Sequence, residues 1–388
     1  MSFQEVRLDR LIEPAPLERA GDRDFPILSM TMHEGLIDQA AKFSKRVASA
    51  STADYRVVRR NQLVVGFPID EGVLSFQDLY DEAIVSPAYD TWKLRIDLEI
   101  APAYLERFLR SPRALAFYRT KLRGTTARRR TLPDDIFLNL VVPLPPLPEQ
   151  RRIAEILDKA DALRVKRRAA LVQLDTLTQS IFLDMFGDPA TNPKGWPVRT
   201  IGDLLESASY GTSEKSEATG QFAVLRMNNI TRTGETDLSD LKYMDLDESE
   251  RDRYLVRTGD VLFNRTNSPE LVGKTAVFRG ARPMAYAGYL IRLRVNREND
   301  PEYLACFLNT AYSKRVLRGM CKSIIGMANI NATEVQTIRI PQPPARIQNE
   351  FAYRVAGVEK LKSAHRTSLA EFDTLFDSLQ YRAFKGEL

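Results

Sequence analysis

The chain has 388 residues, 44% of them hydrophobic, so it is long enough for two or three domains with apolar cores. Its 56 lysines and arginines exceed its 51 acidic residues by only five, a balance that does not by itself predict nucleic-acid binding. Two cysteines exclude a disulfide framework, and no apolar run approaches the roughly 18 residues of a membrane span, so a soluble cytoplasmic protein is expected.

The first globular part, from about Val6 to Pro143, is predicted to be a mixed α/β domain. Short β-type runs at residues 56–58, 63–65 and 94–96 precede a helix from about Ala103 to Leu122. Turn residues interrupt these runs at short intervals, which favours a small curved sheet over a doubly wound parallel sheet.

This helix and the loop after it are strongly basic. Between Ala103 and Thr131 the one acidic residue is Glu106. The basic residues are Arg107, Arg110, Arg113, Arg119, Lys121, Arg123, Arg128, Arg129 and Arg130. Such a concentration of charge attracts a polyanion, although a solvated helix and loop is the alternative.

A long helix follows, introduced by Pro143-Leu144-Pro145-Pro146, because prolines are tolerated at a helix start. Its residues are predicted to form two heptad rows of a coiled coil. The first row is Ile153, Ala160, Arg167, Leu174 and Ile181, and the second is Ile156, Leu163, Ala170 and Leu177. Since Gly187 ends the helix, about 35 residues form a rod on the order of 50 Å long.

The second globular part, from Trp196 to Pro341, repeats this order. Strands are predicted near residues 223–225, 260–263, 276–278 and 290–293, before a helix at about 301–322. A second long helix follows Pro341-Gln342-Pro343-Pro344. Its first row is Phe351, Val358, His365, Phe372 and Leu379, and its second row contains Leu361 and Leu375, interrupted by Arg354 and Ser368.

The two halves are related by a nearly constant offset. Pro143 corresponds to Pro341 with an offset of 198 residues, and Tyr104 corresponds to Tyr303 with an offset of 199. The chain is therefore predicted to be a tandem duplication. We expect globular domains at 1–143 and 188–341 and helices at 144–187 and 342–388.

The duplicated helices are expected to pack antiparallel, because a pseudo-twofold axis would relate them, and to separate the two globular parts. Arg167 and His365 are equivalent mid-helix positions and would then meet near this axis. Our hypothesis is that they form a polar layer that fixes the register of the helices. The alternative is that both side chains extend outward to solvent.

We find no catalytic constellation and no metal site in the sequence. Gly273-Lys274-Thr275 ends like a P-loop, but Ser268 stands where that motif needs a glycine. Ser86-Pro87-Ala88-Tyr89 only faintly resembles the motif of amino-methyltransferases and favours a structural turn. His33 and His365 have no metal-ligand neighbours at the usual spacing. A duplicated and partly basic chain without such sites is more typical of a binding protein than of an enzyme.

The residues from Leu144 to Leu157, with Leu144-Pro145-Pro146-Leu147-Pro148-Glu149-Gln150 before Ile153-Ala154-Glu155-Ile156-Leu157, resemble the specificity subunits of type I restriction-modification enzymes. The likeness covers essentially the whole chain. Residues 257–265 and 272–276 look like the core of a second target-recognition domain, and residues 59–66 and 84–89 look like a variant of it in the first. Ala345-Arg346-Ile347-Gln348 departs from the first proline-helix junction, so this second junction rests on the repeat offset.

The resemblance implies a mixed α/β protein with two pseudo-symmetric target-recognition domains separated by two long antiparallel coiled-coil helices. It implies a non-catalytic reader of a bipartite, asymmetric site in double-stranded DNA. The implied partners are two modification subunits, which bind S-adenosylmethionine and methylate adenine, and restriction subunits, which use ATP and Mg²⁺. No cofactor is implied for this chain. A fused methyltransferase or nuclease, and a coiled-coil scaffold without a DNA function, remain alternatives.

Base reading needs side chains with paired donors and acceptors, carried on loops of a rigid scaffold. The predicted DNA-binding residues of the first half are Lys121, Arg123, Thr125, Thr126, Arg128, Arg129 and Arg130. Those of the second half are Lys322, Ser323, Asn329 and Asn331, with a further set of Asn264, Arg265, Asn267 and Lys274. Some of these residues are expected to contact phosphates, which position a protein on DNA without specifying its sequence.

Overall fold

A computed structural model of the chain describes residues 3–32, 34–42, 51–96, 99–122, 132–324 and 327–388. At 322–324 and 327 only the backbone is described. The strands are β1 Gln4–Arg7, β2 Ile12–Pro14, β3 Leu28–Thr31, β4 Gly35–Asp38, β5 Arg56–Arg59, β6 Leu63–Val65, β7 Leu74–Phe76, β8 Glu82–Val85, β9 Asp90–Leu94, β10 Val141–Leu144, β11 Val198–Thr200, β12 Leu205–Tyr210, β13 Phe222–Leu225, β14 Lys242–Met244, β15 Leu255–Val256, β16 Val261–Asn264, β17 Thr266–Asn267, β18 Thr275–Val277, β19 Met284–Tyr286, β20 Leu290–Val295, β21 Lys322–Ile324, β22 Met327–Asn329 and β23 Arg339–Pro341. The helices are α1 Gln39–Lys42, α2 Pro102–Leu109, α3 Pro112–Lys121, α4 Asp134–Phe137, α5 Leu147–Phe186, α6 Glu248–Tyr254, α7 Pro301–Asn309, α8 Ala311–Met320, α9 Ala332–Gln336 and α10 Ala345–Lys385.

The chain forms two compact units. Unit 1 contains residues 1–166 and 369–388, and unit 2 contains residues 167–368. The boundary between the units therefore falls inside both long helices, so each unit combines a globular part with one segment of α5 and one of α10. The predicted mixed α/β fold with two long helices is confirmed, while the division at residues 143, 187 and 341 stays a prediction.

Each unit contains a four-stranded antiparallel sheet with the same strand order. In unit 1 the order is β2-β9-β6-β7, and in unit 2 it is β12-β20-β16-β18. Unit 2 has a second sheet of order β14-β13-β19-β15, whereas unit 1 has the pairs β3-β4 and β5-β8. The strands predicted at 56–58, 63–65 and 290–293 are present, but the strand predicted at 94–96 is β9, which ends at Leu94.

The single helix predicted in each globular part is in fact two helices. In unit 1 the break lies between α2 and α3, where the Ser111 hydroxyl accepts a hydrogen bond from the Ala114 N–H and Pro112 opens the new helix. In unit 2 the Thr310 hydroxyl accepts from the Ser313 N–H at the equivalent break. Both hydroxyls cap the first turn of the second helix, a role that the apolar periodicity did not reveal.

The junctions between the sheets and the long helices repeat the same hydrogen bonds. Buried Gln150 accepts from the Ala101 N–H at 2.9 Å and donates to the Pro145 carbonyl at 2.9 Å. Buried Gln348 accepts from the Asp300 N–H at 2.9 Å and donates to the Pro343 carbonyl at 2.8 Å. These matching bonds support the predicted duplication at atomic detail.

Within each unit the segments of α5 and α10 run antiparallel. In unit 1, Arg164 contacts Asp373 and the earlier Arg152 contacts the later Leu388. In unit 2, Asp175 contacts Lys362, whereas the later Phe182 contacts the earlier Phe351. The core of unit 1 includes Ile153 and Leu157 from α5 and Phe376, Ala383 and Phe384 from α10.

The first predicted heptad row is largely correct. Ile153, Phe351 and Val358 are buried, and Leu174 and Phe372 are partly buried. The second predicted row is wrong by one residue. Leu163, Leu177, Leu361 and Leu375 are between 40% and 52% exposed, and Ile156 is only partly buried.

The inward second row instead lies one residue later along each helix. It contains Leu157 and Arg164 in α5 and Val355, Lys362 and Phe376 in α10. The apolar pattern did not reveal this row because cations occupy its central positions. Arg164 and Lys362 lie inside the helix pair, where carboxylates neutralise their charge.

The hypothesis of a polar layer at Arg167 and His365 is supported by a direct contact. The Arg167 guanidinium Nη1 lies 3.0 Å from Nδ1 of His365 within unit 2. Because Nη1 is a donor, Nδ1 accepts in this contact. The outward orientation of both side chains is therefore excluded in this structure.

Candidate nucleic-acid interface

Two sets of predicted DNA-binding residues that are distant in sequence meet in unit 2. Strand β17 pairs with β22, and β22 pairs with β21, in a three-stranded antiparallel sheet. Thr266 is opposite Asn329 and Asn267 is opposite Ala328, while Lys322 pairs with Asn329 from the other side. We call this sheet the β17-β22-β21 sheet. It brings Asn267, Lys322, Ser323 and Asn329 onto one small scaffold.

Arg265 directly precedes this sheet, and its backbone joins two neighbouring segments. Its N–H donates to the Tyr289 carbonyl at 3.0 Å, and its carbonyl accepts from the Ile330 N–H at 2.9 Å. Its guanidinium carbon lies 4.9 Å from the centre of the Tyr210 ring. A guanidinium stacked on an aromatic face has a fixed plane, as bidentate contacts to a base require.

Tyr210 and Tyr289 were missed by the sequence analysis. Tyr210 is 41% exposed and Tyr289 is 51% exposed. The Tyr210 hydroxyl also accepts the Ala332 N–H at 2.9 Å, which connects β12 to the start of α9. The sequence signal was an aromatic residue at the end of one strand and just before another, and only the strand pairing shows that both lie beside Arg265.

Asn329 and Asn331 are exposed, and Asn267 is partly buried. The Asn329 side-chain oxygen accepts from the Thr266 hydroxyl at 3.2 Å. The Asn331 side-chain oxygen accepts from the Glu334 N–H at 2.8 Å and so caps α9. Because these bonds use the oxygen atoms, they fix the orientation of both amide groups at the surface.

Asn264 and Lys274 occupy structural positions. Asn264 is completely buried, with its amide nitrogen 3.5 Å from the Met227 carbonyl. The Lys274 ammonium donates to the carbonyls of Met227 at 3.0 Å and Ile230 at 2.5 Å. Burial, with a smaller effect of Arg232, lowers the pKa of Lys274. Both arrangements weigh against direct DNA contacts by these two residues.

In unit 1 one of the predicted DNA-binding residues lies in the described part of the chain. Lys121 is exposed at the end of α3. Outside the described residues lie Arg123, Thr125, Thr126, Arg128, Arg129 and Arg130. For Lys322 and Ser323 in unit 2 the structure describes the backbone of β21 without the side chains.

Several arginines before this loop have partners within unit 1. Arg107 contacts Asp158 and Asp161, and Arg113 contacts Glu5 at 3.0 Å. The excess of basic residues in the sequence therefore overstates the charge that these helices can offer to a polyanion. The carboxylates that neutralise it are distant in sequence.

Among the residues that the structure describes, no group of three or more His, Cys, Asp or Glu side chains is arranged to hold a metal ion. His33 lies outside this part of the chain. Within the same part, no helix is both long and apolar enough to cross a bilayer.

Comparison with known proteins agrees with this architecture. Residues 193–370 match the type I restriction modification DNA specificity domain. The Escherichia coli K12 type I restriction enzyme EcoKI specificity subunit is 26% identical over 318 residues, which cover 76% of this chain and 67% of that protein. The StySPI specificity subunit of Salmonella potsdam is 24% identical with the same coverage of both chains.

The chain is therefore similar to the specificity subunits of type I restriction enzymes. Solved structures also match this fold over nearly the full length. The type I S subunit from M. genitalium has a TM-score of 0.59 at 13% identity, covering 99% of this chain and 96% of that chain. A chain from a structure on complex assembly and conformational transition of the type I system has a TM-score of 0.57 at 19% identity, covering 100% and 98%.

Proposed function

We propose that this chain is a type I specificity subunit, the non-catalytic reader of a bipartite, asymmetric sequence in double-stranded DNA. The observation that carries the proposal is the duplication of one fold unit, each copy with its own sheet and its own segments of the two long helices. Two similar readers on one chain account for a site with two different halves. The residues at the equivalent strand ends differ between the units, which accounts for the asymmetry.

The paired helices are proposed to set the length of the unread DNA between the two halves. The inward positions of α10 alternate in steps of four and three residues, from Phe351 through Val355, Val358 and Lys362. This heptad alternation keeps one face of a helix toward its partner over many turns. A rod of this kind resists changes in length, as a ruler requires.

The proposed protein partners are two modification subunits, one for each half of the molecule. The exposed faces of α5 and α10 support this, because they carry apolar side chains at regular spacing. Leu163, Leu375 and Tyr381 are exposed in unit 1, and Leu177, Leu361 and Tyr353 are exposed in unit 2. Exposed apolar rows on helices are typical docking surfaces for further helices.

We propose that S-adenosylmethionine binds to the modification subunits, that ATP and Mg²⁺ act in restriction subunits where these join, and that this chain carries no catalytic site. The isolated chain should then neither bind S-adenosylmethionine nor cleave DNA when a divalent metal is added. Binding of the methyl donor by the isolated chain would instead favour a fused methyltransferase.

Module exchange tests whether each unit reads its own half of the recognised sequence. Residues 6–140 are replaced by the corresponding domain of another specificity subunit, and the methylated sites are mapped in cells that also express the modification subunits. We expect one half of the recognised sequence to change and the other to persist. A change in both halves would contradict independent reading by the two units.

Insertion of one heptad tests the ruler. Seven residues are added after Lys166 in α5 and seven after Ser368 in α10, so that the described contacts inside each unit are preserved. Seven helical residues add about 10 Å of rod, so the unread spacer should lengthen by about three base pairs. A control with the insertion in α5 alone breaks the pairing and should abolish specific methylation. An unchanged spacer in the double insertion would refute the ruler.

A further inference from the structure

We propose that the strand end occupied by Phe67 in unit 1 and by Arg265 in unit 2 is one base-reading position of the duplicated fold, used with different chemistry in each unit. In unit 2 the guanidinium recognises a guanine. In unit 1 the aromatic ring recognises the methyl group of a thymine. The inference rests on the proposed function, and it names the base type that each unit reads at this point.

The two positions are equivalent in the sheets. Strand β6 lies between β9 and β7 in unit 1, and β16 lies between β20 and β18 in unit 2. The same hydrogen bond lies at the end of each strand: the Gly66 N–H donates to the Val73 carbonyl at 2.8 Å, and the Asn264 N–H donates to the Lys274 carbonyl at 2.8 Å.

The chain leaves the core directly after this bond in both units. Gly66 and Asn264 are buried, and the next residues are Phe67 and Arg265. Their offset is 198 residues, the offset of the repeat as a whole. A position with a core function would carry an apolar residue in both units. Here one unit has an exposed ring and the other has a cation.

The geometry of Arg265 suits guanine. Its guanidinium is stacked on Tyr210, and Nη1 lies 3.4 Å from the Gly288 carbonyl, a weak contact. Arginine donates two parallel hydrogen bonds to O6 and N7 of guanine in the major groove. Asn267 follows two residues later on β17 and adds a further amide donor and acceptor in the same segment.

The surroundings of Phe67 suit an apolar contact. Its side chain is 46% exposed, and its ring centre lies 6.2 Å from that of Tyr89 at a tilt of 54°. A phenyl ring cannot form the hydrogen bonds that distinguish the other base edges. The C5-methyl group of thymine is the apolar feature of the major groove that such a ring recognises.

Modified bases test the two chemistries separately. The complex of this chain with its modification subunits is titrated with duplexes of its mapped site. Each guanine of the half assigned to unit 2 is replaced in turn by 7-deazaguanine, which lacks the N7 acceptor. Each thymine of the half assigned to unit 1 is replaced in turn by uracil, which lacks the methyl group.

One 7-deazaguanine should weaken DNA binding by the unaltered complex by about tenfold. It should not change DNA binding by the complex that carries Arg265→Gln. One uracil should weaken DNA binding by the unaltered complex by about fourfold, which is the effect of one buried methyl group. It should not change DNA binding by the complex that carries Phe67→Ala. Arg265→Lys keeps the charge without the planar fork, so it should lose part of the sensitivity to 7-deazaguanine and keep the salt dependence of binding.

Matched controls identify losses that are unrelated to base reading. Arg257→Gln removes another arginine of unit 2, one that pairs with Asp252 at 2.6 Å, and Leu79→Ala removes another exposed apolar side chain of unit 1. Both controls should keep the sensitivity of the unaltered complex. Circular dichroism establishes that every variant is folded before it is titrated.

Two negative results have different meanings. Sensitivity to the modified bases that persists in Arg265→Gln and Phe67→Ala would overturn the inference and leave the proposed function intact. The same holds if no guanine or thymine of the assigned halves is sensitive. A complex that shows no preference for any sequence would instead overturn the proposed function.

Discussion

A cation lies at the same inward position of the helix pair in both units, but its surroundings differ. In unit 1, Arg164 contacts Asp161 at 3.1 Å and Asp373 at 2.6 Å, and its guanidinium packs on the Phe376 ring at 4.3 Å. Its equivalent in unit 2 is Lys362, 198 residues later. The cation is on α5 in unit 1 and on α10 in unit 2, as expected when an antiparallel helix pair arises by duplication.

In unit 2 the central cation is surrounded by three carboxylates. Lys362 is 3% exposed and contacts Asp175 and Glu235 at 2.8 Å and Glu359 at 3.4 Å. Burial alone would lower the pKa of Lys362, but hydrogen bonds to Asp175 and Glu235 outweigh it, so the pKa is raised. The lysine therefore remains charged throughout the physiological range.

The globular parts contribute opposite charges to the two clusters. In unit 1 the added group is the cation Arg107, which binds Asp158 and Asp161. In unit 2 it is the anion Glu235, which binds Lys362 and Arg366. Both copies of the helix pair thus retain the central cation, although the side chain that the globular part contributes is positive in unit 1 and negative in unit 2.

The largest predicted effect comes from removing the central cation of unit 2. Lys362→Met leaves three carboxylates without their shared partner, so unit 2 should lose about 3 to 5 kcal/mol of stability. Urea unfolding is followed by Trp196 fluorescence in a Trp92→Phe background, which leaves a single tryptophan, in unit 2. Lys362→Arg is the matched control and should retain most of the stability. Equal stability of Lys362→Met and the parent would show that the cluster does not support the fold.

A smaller and symmetric effect should follow from the junction glutamines. Gln150→Leu and Gln348→Leu each leave a buried backbone N–H and carbonyl without their partners, at a cost of about 1 to 3 kcal/mol. The first should destabilise unit 1 as reported by Trp92 in a Trp196→Phe background, and the second should destabilise unit 2 as reported by Trp196 in the Trp92→Phe background. A loss in only one of the two units would show that the matching bonds are not energetically equivalent.

The last predicted effect is a dependence of the stability of unit 2 on pH, and its source is Lys314. Burial, with a smaller effect of Lys274, lowers the pKa of Lys314 from its ordinary value of 10.5 to about 7. Lys314 therefore binds more protons in the unfolded chain than in the folded chain between pH 7 and 10.5, so its own contribution to stability rises with pH in this window. Unit 1 has Leu115 at the equivalent position.

Lys314→Met should reduce this rise. The measurement compares urea unfolding of unit 2 at pH 7 and pH 9 in the parent and the variant. The pKa of Lys274 is also lowered, so part of the rise should persist. An unchanged pH dependence in the variant would exclude Lys314 as its source.

Sequence periodicity predicted the duplication, the mixed fold and the first heptad row, because those features depend on apolar residues at regular spacing. It misassigned the second row because Arg164 and Lys362 are polar residues at inward positions. Their neutralising partners lie on the other long helix or in the globular part, and spacing along one helix cannot reveal them.

The candidate interface was predicted as separate loops. The pairing of β17 with β22 joins two of these sets, and it could not be read from either segment alone. Asn264 was chosen for its side-chain chemistry, whereas its burial follows from its position on the central strand β16. Arg265, one residue later, leaves the core.

The order in which the two units fold follows from the way the last helix divides between them. Phe376 and Phe384 complete the core of unit 1, yet they leave the ribosome after every residue of unit 2. Unit 2 can therefore finish folding first, although its sequence comes later. A nonsense mutation near residue 369 should consequently damage unit 1 while unit 2 still folds.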